Sequence, residues 1–177
     1  MTKAYDIIWL DETDSTNKYA RKHIEELDNL SVVSVLNQTE GKGQGDHKWL
    51  SEPGHNLLFS IILKNPSVKA AEQAAISDVT AQSVKELLAR HGIQSWIKPP
   101  NDIWVDKKKI CGILIEHSLI GSRISWTIIG IGLNVNQTYF PEELPNPTSM
   151  AIENTGSDIR ELLSEFMDIF VSRAFWL

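Results

Sequence analysis

The stretch KPPNDIWVDKKKICGILIE, Lys98 to Glu116, decides the fold. DIWV and KICGILIE are both rich in β-branched and aromatic residues, and only the tight turn at DKK separates them, so they read as consecutive, hairpin-like strands. A two-proline corner with an Asn-Asp pair leads into the first of them. Alternation along K-I-C-G-I-L-I-E predicts one face carrying Lys109, Cys111, Ile113 and Ile115, with Gly112 on the other. A lysine on an otherwise apolar face demands an anion. A strand glycine lets another backbone or a ligand approach closely. Lys107 and Lys108 carry no such demand and read as solvated cations.

Working outward from this hairpin, SWIK lies before it as a short strand, and ISWTIIGIGLNVN follows it after the turn GSR. Towards the N-terminus, YDIIWL and SVVSVLN read as strands. NLLFSIIL is an apolar run bounded by turn signals, which fits a buried strand. Three stretches are helical. DSTNKYARKHIEEL takes Asp14 or Ser15 as N-cap and sets Tyr19, Ala20, Ile24 and Leu27 at helical spacing. Residues from about Val68 to Arg90 form the second, closed by Gly92. The third begins near Asp158 and presents Ile159, Leu162, Leu163, Phe166 and Phe170 on one side. PEELPNP is irregular. Strands in hairpin-like succession with helices between them predict an α+β fold: a mixed, mainly antiparallel β-sheet with helices packed on one side of it.

Composition narrows the function classes. The chain has 177 residues, 42% hydrophobic and 23% charged, as in a soluble globular domain. No run approaches a membrane span, and the N-terminus lacks the pattern of a signal peptide. A net charge of −6 argues against a general nucleic-acid binder. The single cysteine, Cys111, excludes an internal disulfide and points to a reducing cytoplasm. Neither His nor Cys clusters, and no Ser/His/Asp arrangement is visible, so covalent catalysis and a protein-ligated transition metal are not expected.

Three further motifs carry chemistry. QTEGKGQGDHKWLSEPG, residues 38–54, is a long loop with Gly41, Gly43 and Gly45 around Lys42. Its glycines let backbone N–H groups surround an anion, although the same spacing suits a plain surface loop. It matches neither a Walker loop nor a dinucleotide fingerprint. DSTN, before a helix, is what an N-cap looks like, and a helix N-terminus also suits a small polar ligand. GIGLNVN, Gly130 to Asn136, puts two glycines in a strand, as where a strand must pass another element closely.

DSTN at 14–17, QTEGKGQGDHKW at 38–49, KPPND at 98–102, KICGILIE at 109–116 and GIGLNVN at 130–136 resemble, in this order, the signature segments of the biotin–protein ligases. The resemblance runs from about Leu10 to Ala151. It implies the catalytic-domain fold shared by biotin and lipoate ligases, and a two-step reaction with ATP and Mg²⁺. Biotin is first adenylated to biotinyl-5'-AMP, then passed to a lysine of a biotin carboxyl carrier protein, in the cytoplasm. Residues 1–177 are expected to form a single catalytic domain, without an N-terminal winged helix and without the small C-terminal β-barrel usual in the family. Nucleic acid and membrane are not expected partners.

By position, the resemblance assigns biotin to Ser15, Thr16, Asn17, Gln38, Lys42, Gly43, Gln44, Lys109 and Gly112. It assigns the nucleotide to Gly41, Lys42, Gly43, Trp49, Lys98, Asn101, Lys109 and Asn134. Lys109, Lys42 and Asp102 are the implied catalytic residues; no metal ligand is implied. Two positions depart from the family: Lys42 stands for an arginine, and Pro99 for a tryptophan whose packing beside Lys98 Trp96 or Trp104 could take over. The alternatives are a lipoate or octanoate ligase, which needs an apolar tunnel, and a non-catalytic biotin-binding module.

Overall fold

The computed structural model describes residues 4–175 and 177; the first three residues of the N-terminal reading, and Trp176, lie outside the described residues. Seven strands form one sheet: β1 (Asp6–Thr13), β2 (Ser31–Gln38), β3 (Leu57–Lys64), β4 (Trp96–Lys98), β5 (Asp102–Val105), β6 (Lys108–Ile120) and β7 (Arg123–Leu133). Their order is β1-β2-β3-β7-β6-β5-β4. Only β1 and β2 pair in parallel; the other pairings are antiparallel, as expected for hairpin-connected strands. Among the described residues, four helices complete the fold: α1 (Thr16–Lys22), α2 (Ala74–Arg90), α3 (Met150–Glu153) and α4 (Ile159–Ala174).

The helices do not lie on one side of the sheet. Leu57, Phe59, Ile61, Ile129 and Ile131 join α2 and α4 in the main core, whereas Val33, Ile62 and Ile128 meet Ala20 and Leu27 on the opposite face. The reason is visible in NLLFSIIL. Seven of the eight residues of β3 are buried, so both faces of this central strand need cover.

Local capping accounts for the helix boundaries. Asp158 Oδ1 accepts the backbone N–H groups of Arg160 and Glu161 at 2.8 and 3.0 Å, starting α4 at the expected place. Gly92, at φ +75°, closes the turn after α2. Two extents differ from the sequence reading. α1 stops at Lys22, because the N–H groups of Glu26 and Leu27 both turn back to the His23 carbonyl, and Leu27 reaches its cluster from that turn. α2 begins at Ala74; Val68 is buried ahead of a 3₁₀ turn over Ala70–Glu72.

The turn at DKK places Asp106 at φ +50° and sends the chain back as β6. Here the structure overturns the expected alternation. Ile103 pairs with Cys111 but Trp104 pairs with Lys109, so Ile110 is an extra residue in the ladder. Ile110 and Cys111 are consequently both fully buried in the core. Lys109 is turned to the other face, which it shares with Gly112 and Asp102.

Burial pushes the Cys111 thiol far above its ordinary range, and the neighbouring Lys109 cation opposes this less strongly. Cys111 should therefore resist an aromatic disulfide reagent at pH 8 in the folded protein and react fully in denaturant. Rapid labelling of the native chain would contradict the burial.

Candidate active site

The face turned towards α1 carries two rows of residues across the central strands. Leu58, Gly132, Gly112 and Asp102 are consecutive partners across β3, β7, β6 and β5, and Ser60, Gly130 and Leu114 lie one step along. Three glycines in two adjacent strands make a floor without side chains. Two large groups occupy the space above it. A Cβ on Gly132 would sit 2.5 Å from the Trp49 ring, one on Gly112 would sit 2.8 Å from it, and one on Gly130 would land on the Asn17 amide. The close passage expected at GIGLNVN is thus made by the side chains of Trp49 and Asn17.

Between these groups is a cavity of about 260 Å³. The DSTN segment forms one wall. Ser15 caps α1, its Oγ accepting the Lys18 N–H at 3.5 Å, and Ser15, Thr16 and Asn17 are at most 5% exposed. Gln38 Oε1 accepts the backbone N–H of Thr16 at 3.0 Å, which ties the end of β2 to the start of α1. Burial tends to raise the Asp14 carboxyl, but the Ser15 N–H and the Lys18 ammonium outweigh it and hold it below the usual carboxylate range. Lys18 also reaches Glu40 at 2.6 Å and so anchors the glycine loop to the helix.

The loop itself folds back as a small hairpin. Lys42 and Lys48 form an isolated bridge, Gly43 N–H donates to the His47 carbonyl at 2.8 Å, and Trp49 N–H donates to the Gly41 carbonyl at 2.9 Å. Lys42, Gly43, Gln44, His47 and Lys48 all border the cavity. At the sheet end, Lys109 Nζ lies 2.9 Å from Asp102 Oδ1 and 5.4 Å from the centre of a Trp49 ring. The strand carrying Lys109 is pinned by Lys109 N–H to the Asn146 carbonyl at 2.8 Å and Thr148 N–H to the Lys109 carbonyl at 2.9 Å.

All nine residues expected to bind biotin line this cavity, with Asp102 and Trp49. Gly41 borders a second hollow of about 890 Å³ on the other side of the loop, which it shares with Lys42 and Trp49. Lys98, Asn101 and Asn134 line neither. Lys98 Nζ lies 3.8 Å above Trp104, so the packing role vacated at Pro99 falls to Trp104. Asn101 accepts a 2.6 Å hydrogen bond from Ser77, beside Asp102. Asn134 donates to the Thr148 carbonyl at 2.9 Å and so braces the segment that pins Lys109. Sequence reasoning misses Ser60, a single hydroxyl inside an apolar run, and Leu114 on the floor; a serine interrupting LLFSIIL is the signal that could have found the first.

The comparisons with known proteins can be set against this geometry. The model of the biotin/lipoate A/B protein ligase family matches residues 9–134, well over half of the chain. The chain belongs to this family. A bifunctional ligase/repressor BirA of Bacillus spizizenii is 34% identical over 161 residues, covering 86% of the chain and 48% of that protein. A biotin–[acetyl-CoA-carboxylase] ligase of Paracoccus denitrificans is 31% identical over 129 residues, covering 71% and 53%. The chain therefore spans about half the length of the curated relatives it matches. Among solved structures, a biotin protein ligase from Aquifex aeolicus in complex with biotin and ATP superposes with a TM-score of 0.80 at 28% identity, covering 96% of this chain and 70% of that one. The mixed α+β sheet is thus the ligase-family fold, with the family match running from within β1 to the end of β7.

Glycine at the floor is a direct requirement of this family member's packing. Gly132→Ala forces Trp49 to move from the sheet, and overpacking of this kind destabilises by about 1–3 kcal/mol. Urea unfolding should show that loss; an unchanged midpoint would mean that Trp49 does not rest on Gly132.

Proposed function

We propose that the domain is the catalytic unit of an ATP-dependent biotin–protein ligase. The reading is carried by one observation: a single cavity has a polar wall of buried Ser15, Thr16 and Asn17 and half-buried Gln38, with Lys109 bordering its lining beside Asp102. Biotin has the matching polarity. Its ureido ring asks for buried donors and acceptors, and its carboxylate asks for a cation.

In the first step a biotin carboxylate oxygen bonds to the α-phosphorus of ATP, and the bond from that phosphorus to the bridging oxygen of pyrophosphate breaks. Two anions must approach each other. Lys109 and Lys42 supply positive charge where it develops, and the glycine-loop N–H groups add donors. Asp102 holds the Lys109 ammonium in place. Gly41, Gly43 and Trp49 are the proposed nucleotide contacts, while Lys98, Asn101 and Asn134 support the strands that carry Asp102 and Lys109. In the second step an acceptor lysine amine attacks the acyl carbon of biotinyl-5'-AMP and AMP leaves. The acceptor we propose is a biotin carboxyl carrier protein, in the cytoplasm.

Mg²⁺ enters with ATP. Among the described residues no cluster of three or more His, Cys, Asp or Glu side chains could hold a metal, and Asp102 is the only carboxylate bordering the cavity. The residues fit a cation carried on the phosphates and not one held by the protein.

ATP–pyrophosphate exchange driven by biotin, lipoate or octanoate tests the proposal. Exchange with biotin alone is expected. Exchange with lipoate or octanoate in its place would assign the sister activity, and biotin binding without exchange would leave a binding module.

A further inference from the structure

The amide of Asn17 is held in one orientation. Its Nδ2 donates to Glu116 Oε2 at 2.9 Å and to the Leu114 carbonyl at 3.3 Å, two groups that can only accept. Its Oδ1 therefore faces Ser60 Oγ, 2.6 Å away. Glu116 is itself clamped by Arg21, whose guanidinium pairs with the other carboxylate oxygen. Neither Glu116 nor Arg21 lines the cavity.

This fixes a direction along a chain of hydroxyls. Asn17 Oδ1 has no hydrogen to give, so the single Ser60 hydrogen must go to it. The 2.7 Å contact between the Ser60 and Thr16 hydroxyls then has to be made with the Thr16 hydrogen. Gln38 Oε1 competes for that hydrogen only weakly, at 3.5 Å, and already accepts the Thr16 backbone N–H. With its hydrogen spent on Ser60, Thr16 presents only lone pairs to the cavity. Ser60 and Thr16 are at most 4% exposed, so water does not reset the chain.

We infer that Glu116, clamped by Arg21, is a positioning residue that acts through Asn17 and Ser60 to make Thr16 a hydrogen-bond acceptor. The inference rests on the biotin reading and deepens it: the wall then selects a ligand that donates an N–H, as a cyclic urea does, over an isosteric ring that offers an oxygen there. The direction is set by a carboxylate at position 116. A glutamine there would offer N–H to Asn17, favour the flipped amide, and reverse every donor along the chain.

Reversal can be tested by swapping the pair. Calorimetric titration of biotin is compared for the unaltered chain, Glu116→Gln, Asn17→Asp, and the double variant. Glu116→Gln is expected to weaken biotin by about 10–100-fold, since a charge-assisted chain is replaced by opposed donors. In the double variant the introduced glutamine donates to the introduced aspartate, whose carboxylate again accepts from Ser60. The original direction returns without a change in net charge; the Leu114 carbonyl loses its donor, so affinity should recover only in part, to a value clearly tighter than that of Glu116→Gln. A structural role for Glu116 predicts no such rescue. The inference is overturned if Glu116→Gln binds biotin normally, or if the double variant is no tighter than Glu116→Gln. Should Glu116→Gln fail to fold, Arg21→Met at its half-exposed position is expected to keep the thermal midpoint and weaken biotin several-fold; unchanged binding there also overturns it. Absence of biotin binding by the unaltered chain overturns the ligand reading together with this inference, whereas normal binding without the swap effect overturns the inference alone.

Discussion

Lys109→Ala is expected to lower biotin-dependent ATP–pyrophosphate exchange by at least about 10²–10³-fold, the usual effect of removing one preplaced stabiliser of a developing charge. The side chain is 31% exposed and its one ion-pair partner, Asp102, is 32% exposed. Loss of this pair therefore has little effect on folding, and the thermal midpoint should stay within a few degrees of the unaltered chain. Lys109→Arg should keep a fraction of the activity, because the charge remains but its compact geometry does not. Near-normal exchange by Lys109→Ala would sink the assignment of the adenylation centre. Its β6 neighbour cannot stand in for it: Lys108 is paired with Glu153 at 3.1 Å.

Phe166→Ala is expected to have the largest effect on stability, about 3–5 kcal/mol. Phe166 is 1% exposed, meets Phe59 edge-on at 5.2 Å between ring centres, and stacks on Phe170 at 6.0 Å. It is a contact by which α4 packs on β3. Truncation leaves a hole that Phe59 and Phe170 cannot both fill without leaving their rotamers. Chemical denaturation should report the loss as a lower midpoint with an unchanged slope. A change below about 1 kcal/mol would mean that α4 repacks freely on β3. Residual biotin binding by the folded fraction is expected, since the Phe59 side chain lies on the face opposite the cavity.

The fold is largely legible in the sequence because its signals are local. Strand runs such as SVVSVLN and NLLFSIIL, the Asp158 cap and the Gly92 stop each act within a few residues, and each element forms close to where these signals put it. Two failures have the same origin. Helices are expected on one side because hairpin succession does not say which face a helix covers; the apolar run of β3 called for cover on both, and the pairing of Ile61 with Ile129 and Ile62 with Ile128 carries the two apolar faces across the sheet. α3 escapes notice because four residues hold no period, and its Ser149 cap looks like any serine in a loop.

The candidate site divides in the same way. Ser15 and the glycine loop can be singled out from the sequence because caps and glycines carry their reasons locally, whereas Thr16, Asn17 and Gln38 come from the family resemblance. Lys109 is singled out for a reason the structure reverses. The alternation rule places it on the face of Cys111, yet the extra residue Ile110 turns it towards Gly112 and Asp102. A bulge is a property of two strands in register, so no single strand announces it. Ser60, Glu116 and Arg21 come from three distant segments and acquire meaning only when β3, β6 and α1 are brought together. Short-range patterns in the chain were enough to establish the strands and the longer helices, the family resemblance and the chemical types at the cavity. The folded sheet was needed to establish which face Lys109 occupies and which way the hydrogen bonds behind Thr16 run, because both depend on partners that become neighbours only when the strands assemble.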